Sequence, residues 1–156
     1  MKCLALISAL SVGIVLAPLA VAQAPRGRPP PGGYVPGLGN IMGATQLRHF
    51  KLWFAGKLRN WELAAYELGQ IKASFEDAAT LYPGIPVTDM TIVEKPVRSI
   101  GDAIEAKDST RFVKAFNDLT AACNACHQAI GRGFITIQVP TASPFSNQSF
   151  SPRTRQ

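Results

Sequence analysis

A chain of 156 residues, 47% of them hydrophobic, is long enough for one domain with its own core. Its 16 Lys and Arg against 10 Asp and Glu give a net charge of +6, spread thinly: Arg26, Arg28, Arg153 and Arg155 lie near the ends, Lys51, Lys57 and Arg59 in the interior. With no block of like charge and no nucleic-acid motif, the balance excludes nucleic acid as a partner and reads as a solvated surface, or as weak steering toward an acidic partner.

Met1 and Lys2 make a short basic start, Cys3 to Leu19 is almost wholly apolar, and Ala20-Val21-Ala22 offers a small-x-small cleavage site. This order predicts a secretory signal peptide over residues 1–22, removed on export to an oxidising compartment, the periplasm. A retained anchor is the alternative, although the run is near the lower length limit of a span and Pro18 interrupts its end. A lipoprotein is disfavoured because Cys3 precedes the apolar run. Cleavage before Gln23 leaves about 134 residues, removes Lys2 and Cys3, and lowers the net charge to +5. Cys123 and Cys126 are then the remaining cysteines, and no later stretch is suited to a membrane anchor.

Residues 23–39 are rich in Pro and Gly and predict a disordered or extended lead-in. The first helix is expected from Asn40 to about Lys57, with Met42, Gln46, His49 and Trp53 on one face. The second is expected from an Asn60 N-cap to Tyr82, with Trp61, Ala64, Leu68, Ile71, Phe75, Ala78 and Tyr82 as its stripe and Pro83, Gly84 and Pro86 as its stop. A short turn around Asp89 to Glu94 leads to a third helix, the least marked, with Pro96 in its first turn and Val97, Ile100, Ala103 and Ile104 on its face. Asp108 reads as the N-cap of a fourth helix, Ser109 to about Ile130, striped by Phe112, Phe116, Leu119, Cys123, Cys126 and Ile130 and stopped by Gly131 and Gly133. FITIQV, residues 134–139, alternates like a strand but has no partner, so an extended arm is expected. The tail to Gln156 should lack regular structure, with Phe145 and Phe150 able to pin it to the surface. The fold class is all-α: an up-down-up-down four-helix bundle over residues 40–133 with extended terminal arms, the second covering 134–156.

Cys123-Asn124-Ala125-Cys126-His127 is the C-x-x-C-H spacing of covalent haem attachment. On a helix, offsets of three and four residues bring both sulfurs and the imidazole to one side. The sulfurs can add to the two vinyl groups of a porphyrin, and His127 can present a ring nitrogen to the iron. Ala121, Ala122 and Ala125 leave room for close approach. A redox dithiol would open a helix after a strand; here the pair closes a long helix. Structural zinc needs a fourth ligand, and His49 is the only other histidine. A disulfide across two residues would close only a trivial loop.

A helical bundle with this motif near the end of its last helix resembles the cytochrome c-prime family and its methionine-ligated relatives. The resemblance spans Asn40 to Gly133 and is carried by Cys123, Cys126 and His127. It implies haem c, one per chain, bound covalently with iron held by His127. The family often has a basic residue shortly after the histidine. Here Gly131 intervenes before Arg132, and no role is transferred to that arginine.

In such a bundle the first and last helices run antiparallel, so the haem should face the start of the first. Met42 lies at that level, and His49 about 10 Å further along. By resemblance, Met42 matches the sixth ligand; as an ordinary residue it would fill a gap against the porphyrin. His49 is expected as a partly buried or surface histidine rather than the ligand, and Met90, in a loop, is a poor candidate. Gln46 could bond a haem edge or lie on the helix surface. Trp53 and Trp61 read as core anchors rather than electron relays. Phe116, Leu119 and Ile130 are expected to wall the pocket, where an ordinary core would also place them.

The expectation is an exported one-electron carrier, not an enzyme, since no nucleophile or acid–base arrangement is visible. Two alternatives stand beside it: a five-coordinate haem protein that binds diatomic gases, and a cofactor-free helical interaction module using the Pro-rich arm and the tail. The redox partner could be acidic, and related bundles often form a homodimer through their first two helices.

Overall fold

The computed structural model describes residues 33–85 and 91–153. The expected signal peptide, most of the Pro/Gly-rich lead-in, Met90 and part of the turn at Asp89 to Glu94 lie outside those residues. Among the described residues four helices make up the fold: α1, Leu38–Lys57; α2, Trp61–Leu81; α3, Glu94–Glu105; and α4, Ser109–Ala129. Among the described residues there is no strand, and FITIQV is an extended arm.

Local chemistry accounts for the helix ends. The Asn60 side chain accepts from the Leu63 N–H at 3.2 Å, and that of Asp108 accepts from the Thr110 and Arg111 N–H groups, each at 2.9 Å. Each bond satisfies a donor that the first turn leaves without a helical partner. Pro96 falls in the first turn of α3, where its missing N–H costs nothing. The first helix starts at Leu38, two residues before the expected Asn40. Gly37 caps it through its carbonyl, which accepts from Asn40 at 2.9 Å and Ile41 at 3.2 Å without side-chain help. Tyr82 is the C-cap of α2 rather than its last helical residue.

Two corners are very tight. At the end of α1, Arg59 N–H donates to Gly56 and Asn60 N–H to Ala55; at the end of α3, Lys107 N–H donates to Ile104 and Asp108 N–H to Ala103. This is the paired 5→2 and 6→1 bonding of a Schellman motif. It puts Arg59 at φ 60° and Lys107 at φ 53°, left-handed conformations that residues with a Cβ resist. Asn60 and Asp108 each close one helix with a backbone N–H and open the next with a side chain.

The helices pack in a closed cycle, α1 on α2, α2 on α3, α3 on α4 and α4 on α1. Apolar residues from every helix meet at the centre, with Leu52, Ile71, Ile100, Phe112, Phe116 and Leu119 almost fully buried. Gly56 lets α1 approach α4: a Cβ there would collide with the ring of buried Phe112. Trp53 and Trp61 are partly buried against the same core, with ring centroids 6.4 and 6.1 Å from Phe112. Charge enters this interior at Glu67, 1% exposed, which Arg48 of the neighbouring helix meets at 3.1 Å.

The C-terminal arm and tail run the length of the bundle. Ile137 is buried beside the end of α4, whereas Phe150 is buried near the α1–α2 corner, 5.7 Å from the Phe54 ring centroid. Phe145 packs on Phe150 and beneath the Lys51 ammonium, and the Asn60 amide donates to the Ser151 carbonyl at 3.2 Å. Both phenylalanines therefore pin the tail. At the other terminus, the Tyr82 hydroxyl donates to the Pro36 carbonyl at 2.7 Å.

Candidate cofactor site

The last two turns of α4 carry Cys123, Cys126 and His127, all half-buried. Their offsets turn them toward one cavity of about 390 Å³, within the roughly 300–1,000 Å³ range of small-molecule and cofactor pockets. Leu119 of the same helix and Ile130, its C-cap, form part of its wall. Helix α1 contributes Met42, Thr45, Gln46 and His49, and α2 contributes Ile71 and Phe75. The arm closes another side with Ile135 and Ile137. The lining is predominantly apolar, the setting in which a few polar groups fix a ligand's orientation.

The chain leaves α4 through a third Schellman motif. Gly131, at φ 70°, takes the left-handed position; its N–H donates to Gln128 at 3.1 Å, and Arg132 N–H donates to His127 at 2.6 Å. A further turn, Ile135 N–H to Arg132 at 2.8 Å, sends the arm back along the helix. The Ile135 carbonyl then lies 2.8 Å from Nδ1 of His127. A carbonyl only accepts, so Nδ1 carries the proton and, in the neutral ring, Nε2 keeps its lone pair. That is the tautomer a metal-binding imidazole needs. Two residues on, the Asn124 side chain accepts from Ile137 N–H at 2.7 Å and donates to Ile137 O at 2.9 Å.

Met42 is half-buried on the cavity wall, in the first turns of α1, as its spacing from the helix start implies. Gln46 lines the same cavity while remaining largely exposed. His49 is also on the wall but only 3% exposed. Its ring packs 4.3 Å from that of Phe116, and its Nε2 lies 2.9 Å from the Thr120 hydroxyl. Thr120 donates its own proton to the Phe116 carbonyl at 2.9 Å, so His49 must be the donor in that pair. Burial pushes the His49 pKa down to about 4, and the ring is neutral at pH 7. Phe116 stands behind His49 in the core and does not line the cavity.

Cys123 differs from the activated cysteine of a redox dithiol. Burial, followed by the neighbouring Cys126 sulfur, pushes the Cys123 thiol up to about 11, opposite to the lowering that activates a thiolate. No disulfide joins the pair. Among the described residues, no three His, Cys, Asp or Glu side chains are grouped to hold a bare metal ion. No helix among the described residues is long and apolar enough to cross a membrane.

Sequence reasoning missed Thr45, Thr120, Asn124, Ile135 and Ile137. Thr45 and Thr120 read as ordinary helix residues; each bonds the carbonyl one turn back, at 2.8 and 2.9 Å, and is buried. Asn124 stood inside the motif as a variable position, and its partner is 13 residues away on the arm. Comparison with models of protein families, with curated proteins and with solved structures returned no match.

Proposed function

We propose that this chain is an exported, periplasmic mono-haem c-type cytochrome that carries one electron, akin in architecture and motif to the cytochrome c-prime family and its methionine-ligated relatives. The observation that carries the reading is the meeting of Cys123, Cys126, His127 and Met42 around one apolar cavity, with the Nδ1 side of His127 already engaged. The donor set fits a covalently held porphyrin: two thiols for thioether bonds, an imidazole whose Nε2 is available, and a thioether sulfur from another helix. Haem bound there would supply the one-electron change of its iron between ferrous and ferric states.

The chain's own residues have simple roles in this reading. Cys123 and Cys126 would hold the macrocycle, and His127 and Met42 would bind its iron. Leu119, Ile130, Ile71 and Phe75 exclude water, and an apolar shell with a thioether ligand favours the reduced state and raises the potential. No side chain has to move a proton, so no catalytic role is assigned. The scattered positive charge suits an acidic redox partner.

Gas binding at a five-coordinate iron is the second reading. It is favoured by Gln46 and His49, which add polar groups to the same wall as Met42. One set of measurements separates the readings. Protein matured with the haem-attachment machinery should carry colour through a denaturing gel and give a low-spin ferric spectrum. After reduction it should ignore carbon monoxide. Met42→Ala should become high-spin and bind the gas. A wild-type high-spin spectrum that shifts with carbon monoxide would replace electron transfer by gas binding. A bare polypeptide mass would end both and leave the helical interaction module.

A further inference from the structure

The segment Ile135 to Pro140 after α4 has no regular secondary structure, yet its backbone is held by a side chain from within the C-x-x-C-H motif. Asn124 makes two hydrogen bonds to one residue, accepting from Ile137 N–H at 2.7 Å and donating to Ile137 O at 2.9 Å. Both groups of a side-chain amide are thus spent on fixing the backbone of one residue, as a neighbouring strand would fix it. Ile137 is buried and Asn124 half-buried, so the two bonds of the clamp are partly shielded from solvent. The Ile135 carbonyl, two residues before it, is the acceptor for Nδ1 of His127 at 2.8 Å. Upstream, the arm is held by the Ile135 N–H bond to Arg132 at 2.8 Å. The carbonyl that meets the histidine is therefore tied on both sides.

We infer that Asn124 is a positioning residue for His127: by clamping the arm at Ile137 it holds the Ile135 carbonyl against Nδ1, which fixes the tautomer and ring orientation of the proximal ligand. The inference rests on the haem reading for its redox consequence and on the hydrogen-bond geometry alone for its structural one. A histidine that donates Nδ1–H to a fixed carbonyl is a more basic ligand through Nε2. More electron density at the iron favours the ferric state. The clamp thus lowers the potential against the upward pull of Met42 and the apolar shell, and the arm tunes the site it encloses.

The test compares haem-loaded wild type with Asn124→Ala and Asn124→Asp. Alanine removes both bonds to Ile137; aspartate keeps the acceptor and loses the donor. In the reduced, diamagnetic protein, NMR should show the Ile137 amide exchanging about tenfold faster or more in Asn124→Ala. The His127 Nδ1 proton should also exchange faster, the midpoint potential should rise, and Asn124→Asp should fall between. A faster Ile137 amide with an unchanged Nδ1 proton and potential would overturn the inference, because the clamp would be real but not reach the histidine. Unchanged Ile137 exchange would overturn it at its first step. A chain found to carry no haem would sink the parent reading alone. The clamp would then be scored by ¹⁵N shifts of the haem-free protein, in which the Nδ1–H tautomer of His127 should give way to Nε2–H in Asn124→Ala; an unchanged tautomer would overturn it there too.

Discussion

Acid should weaken this fold through His49. The ring is buried in the core against Phe116, its Nε2–H is given to Thr120, and burial holds its pKa at about 4 against an unfolded value of 6.5. The folded state resists the proton and the unfolded state takes it. The contribution is complete above pH 6.5 and is lost as pH falls toward 4. With about 1.4 kcal/mol per pKa unit, the loss is about 2 kcal/mol by pH 5 and about 3 kcal/mol by pH 4. Other groups titrate in the same range, so the informative quantity is the difference between wild type and His49→Gln. Glutamine can still donate to Thr120 and has no proton to gain. Urea unfolding followed by far-UV circular dichroism at pH 7.5, 6, 5 and 4.5 would give both curves. The stability of wild type relative to the variant should fall by about 2 kcal/mol between pH 7.5 and 5. A flat difference would refute the buried neutral ring, and a difference rising toward acid would mean that the fold holds a histidinium.

Two further outcomes follow from the backbone. Gly56→Ala puts a methyl group into the space of the buried Phe112 ring and should cost about 1–3 kcal/mol in chemical denaturation, the usual toll of overpacking. Lys107→Gly relieves a left-handed residue at φ 53° and should stabilise by roughly 0.5–1 kcal/mol, visible as a higher thermal midpoint.

The legibility of the chain depended on where each signal was stored. Asn60 and Asp108 cap with their own side chains, and both helix starts were readable from residue type. Gly37 caps with a carbonyl that every residue has, so the start of α1 was placed two residues late. The C-x-x-C-H group announced itself because its geometry is local to one helix, and Met42 followed from chain direction. Phe116 shares a stripe with Leu119 and Cys123, but a stripe cannot distinguish a cavity wall from the layer behind it. His49 was expected to be partly buried or at the surface. Its place in the core depends on Thr120, 71 residues away. The Asn124–Ile137 pair was invisible for a similar reason: an irregular arm has no period from which a partner could be read.

The double duty of Asn60 and Asp108 also constrains how such a chain can change. Where a single residue ends one rod and begins the next, no slack exists to absorb an insertion or deletion. One added residue would rotate the following helix by about 100° and carry its apolar face out of the interior. Length variation among descendants of this sequence should therefore collect between Leu81 and Glu94, where the residue that ends one helix, Tyr82, and the residue that begins the next, Val93, are different.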